Sequence, residues 1–187
     1  MWRKPPGLGR RTSTAAFVLS LVAAPLLADA PGVEKDRVLF GQTAALGGPA
    51  SELGQGLRLG IRAAFNEAND SGGVNGRMLE LTSYDDGYEP ERAIANTRKL
   101  LEDDKVFALI GSVGTPTTLA LLPVAAEAGA PVIGPLTGAA PLRGAEQAHV
   151  VNLRAGYDEE AEAWVEWLTR DRGISRIAIL YQDDSFG

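Results

Sequence analysis

Short apolar runs alternate with segments of helical periodicity along most of this 187-residue chain. The apolar runs predict six strands, at residues 38–42, 78–84, 106–111, 131–134, 150–154 and 177–181. Four segments with helical spacing lie between them, at residues 53–68, 90–101, 115–128 and 158–172. Because parallel strands are joined by crossover helices, this alternation predicts a parallel sheet with helices on both faces. We therefore expect an α/β fold with an open, doubly wound parallel sheet.

The loops beyond the carboxyl ends of the strands are the predicted place for a ligand. Sheets of this type bind ligands there, where strand ends meet helix N-termini. The candidate ligand-binding loops are therefore residues 43–53, 112–118 and 135–141.

The first thirty residues have the three zones of a secretory signal peptide. Four basic residues precede an apolar run at residues 15–27, and Ala28-Asp29-Ala30 supplies the small residues that signal peptidase needs. Cleavage is expected after Ala28 or after Ala30. The apolar run is too short for a stable membrane anchor. We therefore predict a periplasmic protein with no stable membrane insertion after cleavage of residues 1–30.

Composition excludes several functional classes. The net charge of −6 disfavours a nucleic-acid partner. The absence of cysteine rules out a disulfide framework, a thiolate metal site and a cysteine nucleophile. The single histidine, His149, argues against a zinc site or a Ser-His-Asp triad. Since no nucleophile–base pair stands out either, we predict no enzymatic activity, no metal and no cofactor.

A glycine-rich stretch, residues 54–60, spells GxGxxxG. In a dinucleotide site these glycines directly follow the first strand, whereas here about ten residues intervene and the helical pattern already runs through them. We interpret Gly56 and Gly60 as positions that let a helix approach the sheet closely.

The loop at residues 111–118 joins a buried strand to a helix that begins near Thr115-Pro116. Free amide groups, hydroxyls and the positive end of a helix dipole favour a small anion there, such as a carboxylate. The alternative is that Thr115 only caps the helix. The loop after the fourth strand should lie beside it, where Thr137 offers a hydroxyl or serves as a turn residue.

Two other groups of residues are interpreted structurally. Adjacent acids such as Asp85-Asp86 usually point apart, which predicts solvated turn residues rather than a metal or acid–base site. Trp164 falls on the apolar stripe of the last predicted helix, which predicts core packing.

The run GGVNGRMLELTSYDDGYEP, residues 72–90, resembles a signature of periplasmic amino-acid-binding proteins. It is similar to the leucine/isoleucine/valine-binding type of ABC-transporter solute receptor. Further matches follow in order at residues 47–69, 106–118, 128–135, 150–154 and 176–187. The resemblance spans nearly all of residues 38–187.

The resemblance implies a type I periplasmic binding protein lobe with a flavodoxin-like strand order. Family members have two lobes around a ligand cleft and about twice this length. The implied division is a signal peptide at 1–30, a first lobe at 33–156, and the start of an incomplete second lobe at 157–187.

The implied function is that of an extracytoplasmic receptor of an ABC importer, which captures an amino acid or a similar small carboxylate or amide and delivers it to membrane permease subunits. Alternatives are a ligand-sensing domain of a regulator or receptor, or a truncated fragment without function.

The resemblance also implies a set of ligand-binding residues. Thr115 matches the hydroxyl residue that binds the α-carboxylate, and Gly138 aligns with a threonine that in this chain stands one residue earlier. Phe186 stands where relatives often have tyrosine, and Tyr157 begins a segment that carries acids toward the ligand ammonium. The full implied set is Leu53, Val113, Gly114, Thr115, Leu136, Thr137, Gly138, Tyr157 and Phe186.

Overall fold

Five parallel strands form the centre of the computed structural model, which describes residues 30–187. They are β1 (Arg37–Ala44), β2 (Met78–Asp85), β3 (Ala108–Ile110), β4 (Val132–Ile133) and β5 (Val150–Val151). Their order across the sheet is β2-β1-β3-β4-β5. The predicted doubly wound sheet and its flavodoxin-like strand order are confirmed. The predicted signal peptide lies outside the described residues, except for Ala30.

Four helices connect or follow the strands: α1 (Ser51–Asp70), α2 (Pro90–Arg98), α3 (Thr115–Glu127) and α4 (Tyr157–Glu166). Both α2 and α4 continue into a five-residue π-helical turn, at Lys99–Asp103 and Trp167–Asp171. Right-handed crossovers in this strand order place α1 on one face of the sheet and α2 and α3 on the other. Among residues 30–187, none of these helices combines the length and the apolar character needed to cross a bilayer.

The hydrophobic core lies between the sheet and the α2–α3 pair. Buried leucines from the π-helical turn after α2, from α3 and from β3 meet there, each stabilising the fold by about 1.5–3 kcal/mol. The buried cluster comprises Leu100, Val106, Leu109, Leu121, Leu122, Ala125, Val132, Ala139 and Leu142. This packing fixes the carboxyl ends of β3 and β4 side by side, as the sequence predicted.

Helix α1 approaches the sheet at a different glycine from the ones predicted. Gly54 is buried, and a Cβ there would overlap the Ala45 carbonyl oxygen. Gly56 and Gly60 are exposed, with no atom within 4 Å of a Cβ built on either. The close-packing interpretation of Gly56 and Gly60 is therefore wrong. The first turn of α1, which lies over the end of β1, makes the close contact instead.

Two predictions for the last thirty residues are also wrong. Residues 177–181 do not form a strand, and Leu180 is fully exposed. Within the described chain no strand pairs with them, and an extended segment becomes part of a sheet only through such pairing. Trp164 is 68% exposed rather than part of a core. Helix α4 has no buried residue, because no sheet of the described chain lies beneath its apolar stripe.

Candidate functional site

A cavity of about 640 Å³ lies beyond the carboxyl ends of the strands. The loops after all five strands and the end of the chain contribute to its wall. The lining residues are Pro49, Ala50, Leu53, Gly87, Tyr88, Glu89, Val113, Gly114, Leu136, Arg154, Tyr157, Gln182 and Phe186. Leu53, Val113, Gly114, Leu136, Tyr157 and Phe186 were all among the predicted ligand-binding residues, so sequence reasoning located this part of the molecule.

Thr115 and Thr137 do not line the cavity. Both side chains are completely buried, and their hydroxyl oxygens are hydrogen-bonded to each other at 2.7 Å. Thr137 also accepts a hydrogen bond from the Ala139 N–H at 3.2 Å. The two predicted loops therefore do meet, but their hydroxyls join the loops behind the cavity wall.

Gly138 is buried in the same layer as this threonine pair. A Cβ at Gly138 would lie 2.7 Å from Tyr157 Cδ1 and 2.9 Å from the Ala155 carbonyl oxygen. Since the Gly138 carbonyl also accepts the Tyr157 N–H at 2.8 Å, this position packs the loop after β4 against the start of α4.

Helix α3 begins one residue earlier than predicted, because Thr115 was expected to be the N-cap and Pro116 the first helical residue. The N-cap is Gly114, with φ at 97°, and Thr115 is the first helical residue. Pro116 has no N–H, and among residues 30–187 the N–H groups of Thr115 and Thr117 have no hydrogen-bond acceptor. The positive end of the helix therefore lies at the Gly114 wall of the cavity, and two buried N–H donors there lack an acceptor among the described residues.

Asp85 joins the loop after β1 to the loop after β2. Its carboxylate accepts hydrogen bonds from the N–H groups of Leu46 (2.8 Å), Gly47 (3.0 Å) and Gly87 (3.0 Å), and it pairs with Arg92 at 2.9 Å. Burial raises the pKa of Asp85, but the three amides and Arg92 together outweigh burial and hold the pKa below its usual value. The charged carboxylate thus organises one side of the cavity.

Asp86 is completely buried, so its interpretation as a solvated turn residue is wrong. It accepts the Thr43 hydroxyl and the Tyr88 N–H, each at 2.9 Å. Burial raises the pKa of Asp86, against the effect of these two hydrogen bonds. The side chain faces inward because parallel pairing in β1 and β2 brings Thr43 alongside the end of β2.

A buried amide side chain supports the strand that leads into the α3 loop. Gln42 Nε2 donates to the Gly111 carbonyl at 3.0 Å, and Ser83 Oγ donates to Gln42 Oε1 at 3.0 Å. These bonds tie the ends of β1, β2 and β3 together just before the chain turns into the cavity wall.

Aromatic and basic groups form the opposite side of the cavity. The Arg154 guanidinium lies 5.0 Å from the centre of the Tyr157 ring and pairs with Glu160. Phe186 meets Tyr157 edge to face, with ring centres 5.6 Å apart. Arg143 donates to the carbonyls of Arg154 and Ala155 at 2.8 and 2.9 Å, which holds this segment against the loop after β4.

The sequence reasoning missed Tyr88, Glu89 and Arg154 as lining residues. A signal for the first two was present, because they follow β2 at the same edge of the sheet as the candidate ligand-binding loops. Arg154 likewise follows β5 at this edge. Applying the strand-end rule to every strand would have found all three.

Comparison with known proteins shows which family this chain resembles. The sequence profile of the family described as "Periplasmic binding protein" matches residues 38–187. A Leu/Ile/Val-binding protein from Rhizobium johnstonii is 28% identical over 178 residues, which are 95% of this chain and 46% of that protein. The chain thus spans less than half the length of this curated relative.

Solved structures agree with the sequence comparison. A possible leucine/isoleucine/valine-binding protein from Rhodopirellula baltica matches with a TM-score of 0.70 and 42% identity, over 78% of this chain and 39% of that one. A substrate-binding periplasmic protein from Ralstonia solanacearum matches with a TM-score of 0.74 and 33% identity, over 79% and 41% of the two chains.

Proposed function

The chain belongs to the periplasmic binding protein family, and on that premise we propose that it acts as an exported solute-binding receptor of an ABC importer. In this proposal it captures an amino acid or a similar small carboxylate or amide and delivers it to membrane permease subunits. Members of the family are binding proteins, and the role proposed here is binding without catalysis. Leader cleavage near Ala28 or Ala30 and a periplasmic location belong to the same proposal.

One observation carries the proposal: the cavity is bounded by the N-terminus of α3 at Val113 and Gly114. A helix N-terminus attracts negative charge, because its first amides are free and its dipole is positive there. The buried Thr115 and Thr117 amides have no acceptor among residues 30–187. An acid group of the solute placed at Gly114 would lie at the positive end of the helix dipole, which no acceptor among residues 30–187 neutralises at these two amides.

The rest of the lining fits a small zwitterion with an apolar side chain. Leu53, Leu136 and Phe186 give the cavity its apolar surface, while Glu89 offers a carboxylate for an ammonium group. Arg154 adds a cationic side chain on the far wall. Asp158 and Glu159, which follow Tyr157, would complete the contact with the ammonium group in this proposal.

Isothermal titration calorimetry of the chain against the twenty L-amino acids and their amides tests this function. The names of the relatives make leucine, isoleucine and valine the first probes. We expect heat on addition of at least one of these solutes and none on addition of mononucleotides or simple sugars. No heat from acids and amides alike would contradict the proposal.

A further inference from the structure

Tyr88 lies in the cavity wall and has an unusual backbone conformation. Its φ is 69°, in the left-handed region that non-glycine residues rarely occupy. Such a conformation costs about 1–3 kcal/mol and persists only where the surroundings impose it. Asp86 imposes it here, because its buried carboxylate accepts the Tyr88 N–H at 2.9 Å.

The Asp86 carboxylate is itself fixed in place. Thr43 donates to its other oxygen at 2.9 Å, and Asn96 Nδ2 donates to Thr43 Oγ1 at 3.1 Å. The backbone of Tyr88 is thus attached to a buried network that spans β1, the end of β2 and α2. This network fixes the backbone position from which the Tyr88 side chain extends to Gly114.

The ring of Tyr88 lies directly on Gly114. A Cβ built on Gly114 would stand 2.8 Å from Tyr88 Cζ and 3.0 Å from its hydroxyl oxygen. The phenol oxygen is therefore next to the N-cap of α3, in the same cavity wall. Burial and the nearby Asp184 carboxylate raise the pKa of this phenol, so it is protonated at neutral pH and can donate.

We propose that Tyr88 is a specificity-determining residue of the cavity, whose hydroxyl donates to the acid group of a solute bound at the Gly114 end of α3. This inference rests on the proposed function. It also gives the cavity a phenolic donor that Phe186 cannot supply. The ring also covers one side of Gly114, which narrows the space beside the helix N-terminus.

The test compares wild type with Tyr88→Phe, using L-leucine as the probe and the full 187-residue chain. This substitution removes the hydroxyl but keeps the ring on Gly114. The matched control is Tyr84→Phe, which removes a hydroxyl that donates to Asp104 at 2.9 Å and does not line the cavity. Dissociation constants come from NMR titration, which detects millimolar affinities, and thermal unfolding by circular dichroism checks each fold.

A hydrogen bond to a charged group implies a dissociation constant about ten- to a hundredfold weaker in Tyr88→Phe, with Tyr84→Phe unchanged. A Tyr88→Phe affinity within about twofold of wild type would overturn this inference and leave the proposed function standing. If Tyr157→Phe, tested in parallel, accounts for the whole loss of affinity, the inference about Tyr88 is likewise overturned and the proposed function stands. A wild-type chain that responds to none of the amino acids overturns the proposed function, and the role of Tyr88 with it.

Discussion

The carboxylate of Asp86 is completely buried and accepts two hydrogen bonds, from the Thr43 hydroxyl and the Tyr88 N–H. This single residue therefore anchors the loop that carries Tyr88. The sequence did not indicate that Asp86 is buried, because the side chains of two adjacent acids at a strand end face different directions and the sequence does not show which one faces inward. Asp85 meets amides and Arg92 near the surface, while Asp86 enters the interior. Only the pairing of β1 with β2 decides which acid is buried.

Asp86 gives a pH prediction with a definite sign. Its pKa is raised above 3.8 in the folded chain, so the folded state holds a proton that the unfolded state releases. Its contribution to stability is therefore largest at low pH and is lost as the pH rises through the folded pKa. We expect the free energy of unfolding of wild type to fall as the pH rises between about pH 4 and 7. Asp86→Asn should lack this fall, and urea denaturation at each pH measures both proteins.

The control for Asp86 is Asp70→Asn, which changes an exposed acid at the end of α1. It should leave the pH dependence of wild type in place. Parallel curves for wild type and Asp86→Asn would show that the buried carboxylate does not prefer its protonated form.

Thr115 and Thr137 mark the other limit of residue-level reasoning. The sequence correctly predicted that their loops adjoin. It could not show that the two hydroxyls bond to each other, because this depends on the separation of β3 and β4 ends to within an ångström. The solute contact therefore moves, in our account, from the Thr115 hydroxyl to the backbone at Gly114.

At the scale of elements, the helices were predicted well because their periodicity and end signals agree. Pro90 begins α2, and the α3 loop ends at Thr115-Pro116, as expected for prolines in a first turn. The short strands β4 and β5 were also located, although each has only two residues. The segment at residues 177–181 shows the limit, since apolar composition alone does not make a strand without a partner.

The contact between α1 and β1 gives a prediction at this scale. Gly54→Ala would place a Cβ against the Ala45 carbonyl oxygen, which cannot move without disturbing the end of β1. We expect a loss of about 1–3 kcal/mol in the free energy of unfolding, measured by urea denaturation.

The matched variant on the same helix is Gly60→Ala, where a Cβ meets nothing within 4 Å. It should stabilise the chain by about 0.5–1 kcal/mol, because alanine is the better helix former. Equal effects of the two substitutions would contradict the packing described for the first turn of α1.

For the molecule as a whole, the sheet order and the position of the cavity followed from the alternation of strands and helices. The topology brings the ends of β1, β2 and β3 to one edge, so loops distant in sequence share one wall. What the sequence could not supply was the direction of each side chain in that wall. The division into lobes at residues 33–156 and 157–187 stays a prediction.

The most direct test of this account is the two-dimensional ¹H–¹⁵N NMR spectrum of the chain during titration with L-leucine and, separately, with its amide. An acid group bound at the α3 N-terminus should shift the N–H resonances of Gly114 and Thr115 strongly with leucine and weakly with leucinamide. Leucine binding that leaves both resonances in place, or moves them equally with the amide, would contradict the central claim that this helix end receives the acid group.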